Sequence, residues 1–352
     1  MAETLKPRLA IERMAPYSPP TGGRAGKLRL DFNENTVGCS PAVIRFLVEK
    51  LTGEQLTIYP EYEATRAALA RYFGQREARF AITNGTDEAI QVLINTYVDD
   101  DDEVLILHPS YAMYRFYSEV AGGQVRELAY RDPDLAFPLE ALLAAVTPKT
   151  RAILISNPNN PTGTAIGLDA VEAILNAAPQ AAVLIDEAYF EFYGVTALPL
   201  IDEHPNLFVS RTFSKAFGMA AMRVGCLFSQ EQNVAFMRKA QSPYSVNMLA
   251  ALAVRAAVDD ETYVAEYVRN AVEARNLICE GFRQRGVRFY SSQANFVLFH
   301  AGEQAKAVRD GLRGRGVLIR DRSYEIPGTL RVTAGTPEQA RSFFEALDEV
   351  WK

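Results

Sequence analysis

A single amine, Lys215, sits in "RTFSKAFGMAAMRVG" (211–225) among hydroxyls, small residues and apolar side chains, with Arg223 eight positions on. Burying an ammonium group in such surroundings is costly unless something compensates its charge. A desolvated amine loses its proton readily and becomes a nucleophile toward a carbonyl. Asp186 closes another apolar run, "AAVLID", and a buried carboxylate calls for a cation, such as a protonated ring nitrogen. Tyr189 follows three residues later, and Asn160 lies in the Pro/Gly-rich "SNPNNPTG" (156–163). Both can aim a hydrogen bond at an anionic oxygen on the same ring. Asn84-Gly85-Thr86 precedes a helical pattern, where unpaired backbone N–H groups and the helix dipole suit a phosphate. Thr212, Ser214 and Arg223 add hydroxyl and guanidinium donors, and Tyr111, in "HPSYAMY", can stack on a ring.

These residues must be positioned by regular elements. Short apolar runs recur at "EVLILH" (103–108), "RAILIS" (151–156), "AAVLID" (181–186), "NLFVS" (206–210) and "VGCLF" (224–228). Several are separated by helical patterns such as "LDAVEAILNAA", which predicts a mostly parallel sheet covered by helices. Ligands in such folds lie beyond the carboxyl ends of the strands. "SNPNNPTG", "DEAY" and "RTFSK" each follow a run directly, so parallel strands would bring them to one edge. The helical pattern in "EYEATRAALARYF" stops at Gly74, and "ARFAITNGTDEAI" reads as a short strand, a glycine turn and a helix. Beyond Ser245, two long helical patterns precede mixed strands and helices, as in a second, α+β domain. The expected division is an N-terminal arm over 1–35, a large domain over 36–245 and a small domain over 246–352.

Composition narrows the classes. The 352 residues are 48% hydrophobic and 23% charged with a net charge of −6, an ordinary globular balance with no basic footprint for nucleic acid. No apolar stretch approaches the roughly 20 residues that span a bilayer, and "MAETLKPRLAIERM" lacks a secretory core. A cytoplasmic protein is expected, with no membrane or nucleic-acid partner. Cys39, Cys226 and Cys279, like His108, His204 and His300, show neither disulfide nor metal-ligand spacing, so no metal is expected. The acidic run 99–103 reads as a solvated turn.

An amine, an acid for a pyridinium, donors for a phenolic oxygen and a phosphate cradle together describe a pyridoxal phosphate site. Each piece alone has an ordinary reading as turn, core tyrosine or solvated lysine; their joint occurrence at strand ends carries the assignment. The series "LDFNEN", "YPEY", "NGTDEAI", "PSYAMY", "SNPNNPTG", "IDEAYFEF", "RTFSKAFGMAAMRVG", "ANFVLF" and "LRVTAGT" resembles the fold-type I pyridoxal-phosphate-dependent aminotransferases over nearly the whole chain. Within them it resembles most the histidinol-phosphate aminotransferase family.

That resemblance implies a role for each matching residue. Lys215 would hold the cofactor as a Schiff base and then shuttle the proton. Asp186 would face the pyridine nitrogen, and Tyr189 and Asn160 the phenolic oxygen. Thr86, Asp87, Thr212, Ser214 and Arg223 would surround the phosphate, Thr86 and Asp87 mainly through backbone N–H groups. Tyr111 would stack on the ring, and Tyr59 would reach the phosphate of a neighbouring subunit in a homodimer. Arg331 would take the substrate carboxylate, Arg320 and Tyr17 would help hold a substrate phosphate, and Asn33 would lie where the substrate passes. The implied reaction exchanges an amino group between L-histidinol phosphate and 2-oxoglutarate, in histidine biosynthesis.

Three other readings compete: an aromatic amino acid aminotransferase, a threonine-phosphate decarboxylase and a non-catalytic cofactor-binding regulator. "SKAFGMA" disfavours the decarboxylase, and the absence of a basic helix-turn-helix segment disfavours the regulator. Two departures from the family pattern are local: "NENTVGCSP" has Thr36 and Cys39 in place of prolines, and Ala220-Ala221-Met222 precedes Arg223 in place of Ala-Gly-Leu.

Overall fold

Apolar runs become the central strands because they are covered on both faces. In this computed structural model, which describes residues 5–16 and 22–351, the strands in chain order are β1 (Leu28–Leu30), β2 (Phe80–Thr83), β3 (Glu103–His108), β4 (Gln124–Ala129), β5 (Thr150–Ser156), β6 (Ala182–Asp186), β7 (Leu207–Thr212), β8 (Gly225–Phe228), β9 (Phe296–His300), β10 (Val317–Asp321) and β11 (Thr329–Thr333). Seven of them form one sheet in the order β2-β8-β7-β6-β5-β3-β4. From β7 to β4 the neighbours are parallel, and β8 is antiparallel to both β2 and β7. Alternation along each strand sends Leu105, Ile153, Val183 and Val209 to one core, and Val104, Ala152, Leu184 and Phe208 to another on the opposite face. Each buried aliphatic side chain contributes about 1.5–3 kcal/mol, so both faces of the sheet are anchored.

Strand β4 has no counterpart in the sequence reading. It is the sheet's edge, and Gln124, Arg126, Glu127 and Ala129 are exposed, so it lacks the apolar run that marks its neighbours. The helix Glu63–Phe73 ends, as its pattern predicts, at Gly74, whose φ of 61° caps it in the left-handed region.

A second sheet, β1-β10-β11-β9, closes the C-terminal part. It packs with the helices Glu261–Gln284 and Pro337–Val350 around Phe282, Phe299 and Phe343. Two segments cross the expected division. Leu28–Leu30, inside the expected arm, pairs in parallel with β10 because Leu30 is buried in the smaller core. The helix Met248–Asp259, inside the expected small domain, buries Ala250, Ala253 and Val254 in the core that also holds Val43 and Leu69. The chain thus passes between the sheets at both ends, and the site lies where they meet.

Candidate active site

Because β5, β6 and β7 are parallel, the segments that follow them leave the sheet at one edge. Their register sets Ser156 against Asp186 and Asp186 against Ser210. The loop 157–163, the turn 187–189 and the segment 213–215 thereby converge on one cavity of about 200 Å³, lined among others by Thr86, Asp87, Tyr111, Asn160, Asp186, Tyr189, Thr212, Ser214, Lys215 and Arg223. A larger open hollow of about 870 Å³ lies to the side, over β10, and touches none of these residues. It includes Arg320 and Asp31. The smaller cavity is the chemical centre because the amine, the acid and the anion cradle all face it.

Asp186 is 2% exposed. Burial pushes its carboxyl up to about 6, against the opposing hydrogen bonds from Ser210 and Tyr114. The Ser210 hydroxyl donates to Oδ1 at 2.8 Å and the Tyr114 hydroxyl to Oδ2 at 2.8 Å. A carboxylate so held is oriented, desolvated and short of positive charge, which suits a protonated ring nitrogen. The sequence reading did not single out Tyr114 or Ser210. Tyr114, fully buried, lies one helical turn beyond Tyr111, and Ser210 is the register partner of Asp186.

The lysine and the tyrosine meet across the cavity. Lys215 Nζ donates to the Phe32 carbonyl at 3.1 Å and lies 5.8 Å from the centre of the Tyr189 ring. The Tyr189 hydroxyl accepts from Asn33 Nδ2 at 2.9 Å. Asn33 is itself fixed by Thr333, which accepts from its backbone N–H at 3.1 Å, and by Asn295, which donates to its carbonyl at 3.2 Å. Its φ of 55° is one that Asn tolerates better than most residues. At 1% exposure, Asn33 braces Tyr189 from behind.

The helix Gly85–Tyr97 opens toward the cavity. Thr86 Oγ1 is buried without a hydrogen-bond partner, an orphan that a phosphate oxygen would satisfy. Arg223 Nη2 donates to Asp87 Oδ2 at 3.1 Å, and the Tyr111 hydroxyl donates to Asp87 Oδ1 at 2.7 Å. Arg223 Nη1 lies 3.4 Å from Ser214 Oγ, and the Ser214 N–H donates to Thr212 Oγ1 at 3.2 Å. Gly85, with φ of 74°, admits this packing: a Cβ there would come within 2.5 Å of Arg223 Nη2. The Asp87 side chain therefore fastens Tyr111 and Arg223, a part the sequence reading did not give it.

Arg331, on β11, is 4% exposed and donates through Nη2 to the Asp31 carbonyl at 2.9 Å and through Nη1 to Asn160 Oδ1, while its Nε has no partner. Burial, with the nearby charge of Arg322, brings its guanidinium down to about 10, still cationic at neutral pH. Arg320 Nη1 is likewise buried without a partner. Tyr59 is 73% exposed and stacks on Tyr244 at 4.3 Å, outside the cavity of its own chain. Tyr17 lies outside the described residues.

An amine, a desolvated acid and an open anion cradle at the carboxyl edge of a parallel sheet define a transferase site of the kind that aminotransferases carry. The chain belongs to the aminotransferase class I and II family, whose model matches residues 25–347. It is 36% identical to the histidinol-phosphate aminotransferase of Symbiobacterium thermophilum, with 97% of each chain covered. It is 32% identical to that of Bacillus subtilis, over 97% of this chain and 98% of the other. The solved structure of histidinol-phosphate aminotransferase from Sinorhizobium meliloti, in complex with pyridoxal-5'-phosphate, superposes with a TM-score of 0.88 at 26% identity, covering 99% and 98% of the two chains. The fold is fold-type I. L-Threonine-O-3-phosphate decarboxylase from Porphyromonas gingivalis shares it at a TM-score of 0.77 and 22% identity, over 92% and 98% of the chains, which speaks to the fold alone.

Proposed function

We propose that this aminotransferase uses pyridoxal phosphate to exchange an amino group between L-histidinol phosphate and 2-oxoglutarate. The observation that carries the reading is the convergence of Lys215, Asp186 and the Thr86–Arg223 cradle on one cavity, next to two arginines with unpartnered nitrogens. Full-length relatives named for this reaction support the choice of substrate.

The donor set fits the cofactor: the orphaned Thr86 hydroxyl and Arg223 suit its phosphate, Asp186 its ring nitrogen, and Tyr189 with Asn160 its phenolic oxygen. Pyridoxal phosphate supplies an aldehyde that accepts the amino group and a ring that draws electrons from the neighbouring carbon. Asp186 keeps a positive charge on that ring favourable. Lys215 Nζ moves the proton, and a carbonyl acceptor such as Phe32 O takes one of its N–H bonds and so orients the lone pair. Asn33 holds the Tyr189 hydroxyl, and Tyr111, on the cavity wall, would cover the ring. Arg331 and Arg320 would meet the substrate's anionic groups, since one pocket must accept a phosphate ester and a carboxylate in turn.

The purified protein, incubated with both substrates, is expected to release glutamate from 2-oxoglutarate, and Lys215→Ala is expected to abolish it. Good rates with phenylalanine or tyrosine beside none with histidinol phosphate would reject the substrate and keep the reaction class.

The same reading includes a homodimer. Val37, Ile44, Val48, Leu56, Ile58 and Tyr59 are all at least half exposed within one stretch of chain, more apolar surface than a solvated face needs. Tyr59 then extends toward a neighbouring subunit's phosphate. Sedimentation as a monomer would reject this part. The thiols Cys39, Cys226 and Cys279, unpaired in the structure, suit a reducing compartment and a cytoplasmic enzyme. Among the described residues no helix is long and apolar enough to cross a membrane.

A further inference from the structure

One acid stands where it should quench Arg320. β1 and β10 pair in register as far as Leu30 and Ile319, which sets Asp31 one step on, beside Arg320, and both border the hollow over β10. Glu34 lies three residues further along, on the wall of the cofactor cavity. Opposite charges this close normally pair. Yet among the described residues no carboxylate engages Arg320: its Nη1 is buried without a partner, and its guanidinium lies over the Phe32 ring at 5.2 Å.

Arg24 takes Asp31 instead, and Glu34 with it. Its Nε and Nη2 donate to Asp31 Oδ2 and Oδ1 at 3.2 and 2.8 Å, and its Nη1 and Nη2 donate to Glu34 Oε1 and Oε2 at 3.1 and 2.6 Å. The guanidinium also lies over the Phe32 ring, at 4.4 Å. Two bidentate pairs on one fork occupy all four carboxylate oxygens. Burial alone would push the Glu34 carboxyl up, but the Arg24 hydrogen bond and charge more than offset it and hold it low, so Glu34 is an anion with a committed partner.

We propose that Arg24 is a specificity-determining residue: by engaging Asp31 and Glu34 it keeps Arg320 without an internal counter-ion, so that Arg320 stays available for an external phosphate or carboxylate. This rests on the reading of Arg320 as a substrate-anion residue. The chemistry is competitive, because an arginine already paired with a carboxylate must break that pair before it binds a ligand anion. Arg24 removes that competition in advance. It acts through other residues: it lines neither cavity itself and reaches them through Asp31, Phe32 and Glu34.

A plain structural role for Arg24 makes a different prediction, because it also steadies Phe32 and Asp31, whose carbonyls accept from Lys215 and Arg331. The test separates the two by removing the acids as well. Inorganic phosphate binding to the holoenzyme is measured by calorimetry, and KM and kcat are measured with histidinol phosphate, for the wild type, Arg24→Ala, Asp31→Asn/Glu34→Gln and the triple variant. Arg24→Ala is expected to weaken phosphate binding and raise KM by about tenfold, the scale of one charged pair made available to compete. The triple variant is expected to return to within about twofold of the wild type, because the competing anions are gone. Asp31→Asn/Glu34→Gln alone is expected to bind phosphate at least as tightly as the wild type. A triple variant as weak as Arg24→Ala, or an Arg24→Ala that binds like the wild type, would overturn the proposal. Phosphate binding that Arg320→Gln leaves unchanged would instead remove Arg320 from the anion site, overturning the functional reading of that residue and this proposal with it.

Discussion

Tyr114→Phe isolates one hydrogen bond to the acid at the centre of the site. The change keeps the buried ring and removes only the hydroxyl that donates to Asp186 Oδ2 at 2.8 Å. Asp186 already stands at about 6 because burial outweighs its donors. A hydrogen bond to a charged group contributes about 1.5–3 kcal/mol, and one pKa unit corresponds to about 1.4 kcal/mol. Losing the donor therefore raises Asp186 by about one to two units. At pH 7 a group at about 6 is roughly nine-tenths ionised, and one at about 7.5 roughly one quarter. Affinity for a cofactor whose ring needs the carboxylate should fall about fourfold at pH 7, and by pH 9, where both forms are ionised, the deficit should nearly vanish.

The assay is a titration of the cofactor-free protein with pyridoxal phosphate at the two pH values, followed by tyrosine fluorescence or cofactor absorbance. The sign for stability follows from the same shift. Because the folded state holds this proton more tightly than the unfolded chain, stability of the cofactor-free protein falls as pH rises from about 4 through about 6. In Tyr114→Phe the fall should continue to higher pH. A loss of affinity that persists unchanged at pH 9, or no loss at pH 7, would refute the claim that this hydroxyl sets the ionisation of Asp186.

Two further substitutions probe the cradle and the brace. Gly85→Ala places a Cβ against Arg223 and an alanine at φ of 74°, costing about 1–2 kcal/mol in backbone strain and displacing the guanidinium. Pyridoxal phosphate affinity should drop about tenfold or more, read by dialysis and reconstitution, and an unchanged affinity would show that Arg223 does not need its present seat. Asn33→Gly keeps the left-handed backbone and removes the donor to Tyr189. Turnover should fall by up to about tenfold, the scale of one lost hydrogen bond, alongside a lower thermal midpoint because a buried, hydrogen-bonded side chain is removed, and wild-type rates would show that Tyr189 needs no brace.

The sequence disclosed the site by strand ends, and the reason is physical. β5, β6 and β7 are covered on both faces, so their central residues are apolar, and a polar residue at or soon after their carboxyl ends is conspicuous. Asp186 and Lys215 stand out that way, as does the loop bearing Asn160. β4 escaped because an edge strand needs no such run. The partners Tyr114 and Ser210 escaped for another reason: the first depends on a helix face turned to a strand, the second on inter-strand register. Neither is written in local spacing.

Asp31, Phe32 and Glu34 show the limit from the other side. They sit in "LDFNEN", a stretch that carries the family resemblance, yet their office depends on Arg24, seven to ten residues upstream, and on β10, far along the chain. Local sequence marks where chemistry can occur, because chemistry needs particular side chains. It does not mark which charges are already spoken for, because that depends on which segments the fold brings together. The availability of Arg320 is thus a property of three segments at once, and only their assembly distinguishes an arginine awaiting an anion from one whose charge a neighbouring acid has claimed.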